Sequence, residues 1–465
     1  MAVLVEEEDA PPRVVVGQPI VRQVVMLALP VLVEQTLAYF LGVSDTVLTG
    51  RYLTDSDLAA VTVGTYLMWF LASLMMIVSA GATALIARRV GEGNFPAATR
   101  VCQQAIGLAW IVGMALAVGG WFAAPAIVHA MNLRGAAEVE ATAFLRIILL
   151  VTPLLASEIV GVAALRGAGD TRTGMYVMLV INLVNAGLSW ALVTGFAGLP
   201  RCGLRGVATG TAIGEGLGGV ILLILLARGR SGLHLDWRGL LPRSDDVRRI
   251  FRISLPAAGE SLTNGICQLW FLGLINRLGE TATAAHGVAI RCEAIAFLTV
   301  QAFAVAAGTL TGQYLGANRP DLAAKAARTA WWLGVLVISS LGLIIYIRAD
   351  WMFSLFLGNR PSSVAAMGVP VLRIVAFALP ALATINVLTG SLRGAGDTRW
   401  PWLIVIFGYF AVRIPLTYLF TLPTSAGGLG YGLSGAWLAM LIDLFVRGSL
   451  VAGRFVQGGW KEIRV

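Results

Sequence analysis

The chain has 465 residues, of which 57% are hydrophobic and only 13% charged, with mean hydropathy +0.80 and a formal net charge of +9. A soluble domain carries roughly 25% charged residues, so this composition excludes a soluble globule and calls for an integral membrane protein. Four widely spaced cysteines (Cys102, Cys202, Cys267, Cys292) and three isolated histidines (His129, His234, His286) argue against a disulfide frame, a thiolate metal site or an HExxH-type centre.

Residues 1–21 are acidic and proline-broken ahead of any apolar run, unlike a secretory signal, so the first apolar segment is expected to remain as a membrane span. Spans of about 20 apolar residues are predicted near 22–50, 58–87, 98–123, 139–165, 173–196, 205–227, 250–276, 283–312, 326–347, 364–391, 401–422 and 432–453. Gly, Pro and charge clusters separate these twelve. The longest polar stretch, 228–249, follows the sixth. The expected layout is therefore a cytoplasmic tail 1–21, an N-lobe 22–227, a cytoplasmic linker 228–249, a C-lobe 250–453 and a cytoplasmic tail 454–465.

The two lobes are copies. Leu165-Arg166-Gly167-Ala168-Gly169-Asp170-Thr171-Arg172 recurs letter for letter at 392–399, a separation of 227. Leu145-Arg146-Ile147 returns as Leu372-Arg373-Ile374 and Pro153 as Pro380 at the same offset, while Pro30 and Glu34 return as Pro256 and Glu260 at 226. A constant offset along the whole length means that a complete half was duplicated. Six spans per half make the halves parallel repeats about an axis normal to the membrane. With the termini inside, inner segments hold twenty-two basic residues against seven in outer loops, the asymmetry of the positive-inside rule. The basic charge thus reports topology and an affinity for anionic lipid, not nucleic acid.

The repeated octapeptide lies in the inner loops after spans 4 and 10. Gly167 and Gly169 suit left-handed backbone that ends a helix, Asp170 and Thr171 suit the cap of the next, and Arg166 complements the helix dipole. A tight corner accounts for one copy. Two copies, with Arg166, Asp170, Arg393 and Asp397, also fit corners that face each other at an inner gate.

Several acids fall inside apolar spans: Glu34, Asp45, Glu158, Glu215, Glu260, Glu293 and Asp443. An unpaired carboxylate there must face water, find a partner or take a proton. Asp443 and Arg447 are one turn apart and can pair. Glu34 and Asp45, eleven residues apart, share a face of span 1, and Glu260, Asn264 and Gln268 form a stripe on span 7. Asn182, Asn185 and Ser189 make a neutral ridge on span 5. With Asp45 these side chains supply either oxygens for Na⁺ or hydrogen bonds that tune a proton-binding carboxylate; structural interhelical bonding is the alternative for the asparagines.

Ser44-Asp45-Thr46, both copies of LRGAGDTR, Leu255-Pro256-Ala257-Ala258-Gly259-Glu260, Ala284-Ala285-His286 with Arg291 and Glu293, and Gly312-Gln313-Tyr314-Leu315-Gly316-Ala317 together resemble the multidrug and toxic compound extrusion (MATE) transporters. The resemblance covers essentially all twelve spans. It implies an all-α membrane protein with two six-helix lobes forming a V around a central cavity. It also implies secondary active efflux of organic cations or amphipathic toxins by alternating access, in antiport with H⁺ or Na⁺. Asp45, with polar groups of spans 4 to 6, is then the N-lobe cation site, and Glu260 and Glu293 are C-lobe acids. Asn185 matches a family asparagine, but Ser189 stands where Asn or Asp is usual, which leaves H⁺ against Na⁺ open. Thr211 is a possible further ligand of a transported Na⁺ at Asp45. The cavity set is Glu34, Glu260, Asn264, Gln268 and Tyr39.

No enzyme activity and no cofactor beyond the coupling ion are expected. The expected partners are small organic cations or amphipathic toxins and membrane lipid. A monomer is expected in the plasma membrane (the inner membrane of a Gram-negative source), with both termini cytoplasmic. The rival reading is a flippase for lipid-linked saccharides on a related two-lobe fold, which would favour an arginine-rich cavity for pyrophosphate.

Overall fold

The computed structural model describes residues 18–131, 133–358 and 362–463. Arg13, Arg360 and Arg464, which contribute to the charge asymmetry, and most of the tail 1–21 lie outside the described residues. No strand occurs among the described residues, and fourteen α-helical segments carry the chain.

The first half comprises α1 (Ile20–Tyr52), α2 (Asp55–Leu74), α3 (Met76–Gly91), α4 (Phe95–Ala130), α5 (Ala136–Ala168), α6 (Arg172–Thr194) and α7 (Gly203–Ala227). The second comprises α8 (Ser244–Asn276), α9 (Glu280–Gly316), α10 (Pro320–Leu357), α11 (Ser363–Gly394), α12 (Arg399–Phe407), α13 (Ile414–Thr421) and α14 (Gly432–Gln457). α2 and α3 are one predicted span interrupted at Met75, and α12 and α13 are one span joined by a π-helical turn, Gly408–Arg413. The twelve predicted spans are thereby all helical. Eleven helices are long and apolar enough to cross a membrane among the described residues. α8 is the remaining span; its 33 residues suffice in length, but Glu260, Asn264 and Gln268 dilute its apolar character.

Helix limits follow local chemistry. Thr54 and Asp57 form a capping box at the start of α2, and Asn94 caps α4 ahead of Pro96. At both octapeptides the later glycine ends the helix in left-handed backbone, Gly169 at φ 96° and Gly396 at φ 89°. Gly167 does not share that role. A Cβ there would lie 2.7 Å from the Thr83 carbonyl oxygen, so it is the close approach of α5 to α3 that excludes a side chain. α5 and its repeat α11 are the most buried spans. Around α5, Phe144, Leu145, Ile148 and Leu149 pack with Ala60 and Val61 of α2 and with Val207, Ala208 and Ala212 of α7.

The chain divides into two compact units. Leu29–Ser254 forms one; Leu255 onward, with the segment ending at Ala28, forms the other. The division therefore does not fall in 228–249. That stretch is stitched onto α4 by Gln104, whose Nε2 donates to the carbonyls of Gly239 (2.7 Å) and Leu241 (2.8 Å) while its Oε1 accepts from Arg243 N at 2.6 Å. The two crossings, after Ala28 and after Ser254, differ by 226 residues, the repeat offset, and each directly precedes a Leu-Pro pair.

Candidate functional site

The duplicated octapeptide ties each unit to itself. In the N-terminal unit Arg166 pairs with Glu34 of α1; in the C-terminal unit Arg393 Nη2 meets Glu260 Oε1 at 2.9 Å. Arg166 is thus held by a carboxylate of another helix, beyond the dipole role that its place at the helix end suggests. Glu34 and Glu260 each leave their second oxygen, Oε2, buried and without a hydrogen-bond partner among the described residues. Gly174 accommodates that oxygen of Glu34, since a Cβ there would sit 2.7 Å from it.

The aspartates of the octapeptide reach the end of each unit. Asp170 Oδ1 accepts from Thr173 N (3.0 Å), and its Oδ2 accepts from Thr173 Oγ1 (2.7 Å), Ser231 Oγ (2.9 Å) and Arg230 Nε (3.1 Å). Thr171 makes no side-chain cap; Asp170 alone does. Burial pushes the Asp170 carboxyl up, but the Thr173 and Ser231 hydrogen bonds and the Arg230 guanidinium outweigh it and hold the group below the usual carboxylate range. In the second copy Asp397 Oδ2 takes Arg454 Nε and Nη2, both at 2.8 Å. These partnerships escaped the sequence reading. The signal was present: Glu34 and Arg166 recur together, at 226 and 227, as a pair that stays in register would.

Within the N-terminal unit, residues from α6 and α7 converge on Asp45 of α1. Asn185 Nδ2 donates to its Oδ1 at 3.0 Å and Thr211 Oγ1 to its Oδ2 at 2.8 Å. Asn185 Nδ2 also lies 2.9 Å from Thr211 Oγ1 and 3.5 Å from Ser189 Oγ. All four side chains are buried. The convergence depends on Gly210, where a Cβ would fall 2.1 Å from Ser189 Oγ. Asn182 stands apart, its amide spent on the Met178 carbonyl of its own helix.

In the C-terminal unit the polar interior is built differently. Asp443 is 0% exposed and lies between Arg413 (2.7 Å) and Arg447 (2.7 Å), whose guanidinium carbons stand 4.7 and 4.8 Å from the Tyr409 ring centre. The π-helical turn that ends at Arg413 delivers it here; such turns insert one extra residue and gather at functional sites. Glu293 is half-buried and within electrostatic reach of Arg413. Asn264 donates to the Glu260 carbonyl, and Gln268 is exposed. Tyr39, on α1, is exposed.

A duplicated all-helical membrane fold with a carboxylate bound by neutral donors and others paired with arginine inside its spans is that of a membrane transporter. The family model MatE matches residues 30–191 and 256–419, one stretch in each repeat. Among curated relatives, "Probable multidrug resistance protein NorM" of Thermotoga maritima is 28% identical, with 95% of this chain and 93% of that protein covered. "Uncharacterized transporter YisQ" of Bacillus subtilis is 26% identical, covering 93% and 94%. A multidrug resistance MATE family transporter of the MOP superfamily, solved in an outward-facing conformation, superposes with TM-score 0.86 at 19% identity, covering 95% of this chain and 97% of that one. The chain belongs to the MatE family, the multidrug and toxic compound extrusion transporters.

Proposed function

We propose that this transporter expels organic cations and amphipathic toxins across the plasma membrane by antiport against a cation, with both termini cytoplasmic and the monomer as the working unit. The observation that carries the reading is the Asp45 cluster: one buried carboxylate held by Asn185 and Thr211, with Ser189 beside them. A buried acid with only neutral partners exchanges a cation readily, because no fixed positive charge competes for it. The names of the curated relatives support efflux of drugs as the task.

The proton is the favoured coupling ion. Asp45 is the only carboxylate of the cluster, and both of its oxygens already receive donors. In the cycle, a proton on Asp45 and the organic cation exclude each other, so uptake of one drives release of the other. The flippase reading loses ground because Arg413 and Arg447 are both engaged by Asp443.

The test is efflux of a fluorescent organic cation from proteoliposomes under an imposed H⁺ gradient and, separately, a Na⁺ gradient. Proton-driven efflux that Asp45→Asn abolishes, with the variant folded and inserted, is the expected result. Full efflux in that variant would sink the assignment, and efflux driven only by Na⁺ would reassign the ion.

A further inference from the structure

Two buried acids of the N-terminal unit have no part in the Asp45 cluster. Glu158 of α5 is 5% exposed and Glu215 of α7 is 6% exposed, and neither makes a hydrogen bond or ion pair among the described residues. Glu158 lies against α7, its Cγ 3.5 Å from where a Cβ of Gly218 would stand, and Gly218 is three residues from Glu215 on the same helix. Glu215 in turn is one turn from Thr211, which donates to Asp45. The charged groups that bear on Glu158 are Glu215, then Glu34 and Arg166; the one that bears on Glu215 is Asp45. The neighbouring face of α6 offers only Asn185 and Ser189, which are neutral. A series of acids therefore runs through one unit, Asp45, Glu215, Glu158 and Glu34, and its single cation, Arg166, sits at the far end.

Two carboxylates whose one neighbouring cation, Arg166, is already paired with Glu34 cannot both be ionised in such a place, since each unpaired charge costs several kcal/mol. The pair holds at least one proton while Asp45 is empty of a cation. A positive ligand at Asp45 changes that balance, because its field reaches Glu215 as well as Asp45. We propose that Glu158 and Glu215 form a second proton site of this unit, discharged when an organic cation binds at Asp45 and reloaded when it leaves. More than one proton then enters for each monovalent cation expelled, and the exchange moves net charge. This rests on the proton-antiport reading of Asp45 and goes beyond it in stoichiometry.

The experiment varies pH gradient and membrane potential independently in proteoliposomes, with a potassium diffusion potential and a monovalent fluorescent cation as substrate. One uncompensated charge per cycle shifts the steady-state substrate ratio by about fiftyfold per 100 mV. Wild type is expected to respond in that sense, whereas Glu158→Gln and Glu215→Gln keep pH-driven efflux but lose most of the response to potential. Glu158→Asp and Glu215→Asp are expected to retain it, which separates the proton site from a merely structural role. In case the glutamine variants fail to fold, protons released by wild-type protein on binding the cation are counted in weakly buffered detergent solution. A count above one is expected. Absence of pH-driven efflux in wild type would defeat the antiport reading itself. pH-driven efflux indifferent to potential, an unchanged potential response in the glutamine variants, or a count of one or fewer would overturn the second site alone.

Discussion

The two units share their framework and differ in their interiors. Glu34 with Arg166 and Glu260 with Arg393 are the same pair twice, and Asp170 with Arg230 and Asp397 with Arg454 are the same closure twice. Inside that framework Asp45, Glu158 and Glu215 of the N-terminal unit make no ion pair among the described residues. The C-terminal unit places its deepest acid, Asp443, between two arginines on one tyrosine ring. The residues that close each unit are the same in both copies, while the charged groups of the two interiors differ. A carboxylate without a fixed partner can exchange a cation; one fastened by two guanidinium groups serves structure.

The sharpest way to break this contrast is to neutralise both acids. Asp443→Asn leaves Arg413 and Arg447 buried and unopposed, a loss of about 3–5 kcal/mol for a severed buried pair. It should lower yield and thermal stability in detergent severely. Asp45→Asn removes a charge that has no cationic partner and should leave the melting temperature at or above that of wild type. Equal destabilisation by the two substitutions would show that the interiors do not differ as described.

A second difference lies where the second and fourth spans of each unit cross. In the N-terminal unit Thr83 Oγ1 donates to the Ala163 carbonyl at 2.9 Å. The equivalent positions in the other unit are Gly308 and Gly390, and the helices come closer. A Cβ at Gly394 would fall 2.1 Å from the Gly308 carbonyl oxygen, against 2.7 Å for Gly167 and Thr83. Gly394→Ala should therefore cost about 2–3 kcal/mol and Gly167→Ala nearer 1, the range expected for overpacking. Thermal denaturation of the two variants side by side gives the order, and a reversed order would refute the closer approach of α9 and α11.

The framework itself predicts equality. Glu34→Gln and Glu260→Gln each break a pair whose arginine retains some solvent, so each should cost about 1–2 kcal/mol, less than a fully buried pair. Double-mutant cycles with Arg166→Gln and Arg393→Gln should give coupling energies of similar size. A large coupling in one unit and none in the other would mean that only one copy of the octapeptide still holds its unit together.

Much of this was legible in the chain, for identifiable reasons. Apolar runs bounded by glycine, proline and charge located every span, most ends to within four residues, because a span has to be both long and apolar. The helices run further at the end of α4 and at both ends of α10. Only α8 is polar enough to blur the criterion. The repeat offset exposed the duplicated corners, but local chemistry explained them too cheaply, as caps and dipole partners. What escaped was tertiary. That Arg166 reaches α1, or that Arg230 of the supposed linker closes on Asp170, depends on which helices are neighbours, and no periodicity reports that. The polar ridge of span 5 already suggests Asn185 as a partner of Asp45, but Thr211 enters through the family resemblance alone, since it lies 26 residues from Asn185 on a different helix. Spacing alone makes one ridge of Asn182, Asn185 and Ser189, whereas in α6 Asn182 turns to its own backbone.

The smallest expected effect concerns the closing aspartate of the N-terminal unit. Asp170 has a native pKa below the ordinary value, because Thr173, Ser231 and Arg230 together overcome its burial. The sign follows from linkage: a carboxyl depressed on folding binds fewer protons in the native state than in the unfolded one. Its contribution is complete above the unfolded value of about 3.9 and is lost as pH falls through the depressed native value. Melting temperature measured from neutral pH down to about pH 3 should thus fall less steeply in Asp170→Asn than in wild type over the acid end. At neutral pH the variant should be less stable by about 1 kcal/mol, the size of a net hydrogen-bond contribution, since an amide can still accept from Thr173 and Ser231 but no longer attracts Arg230. Curves that run parallel to the acid limit would mean that the Arg230 and Ser231 contacts do not survive in the membrane protein in solution. The linker would then be held by its hydrogen bonds to Thr99, Gln103 and Gln104 of α4.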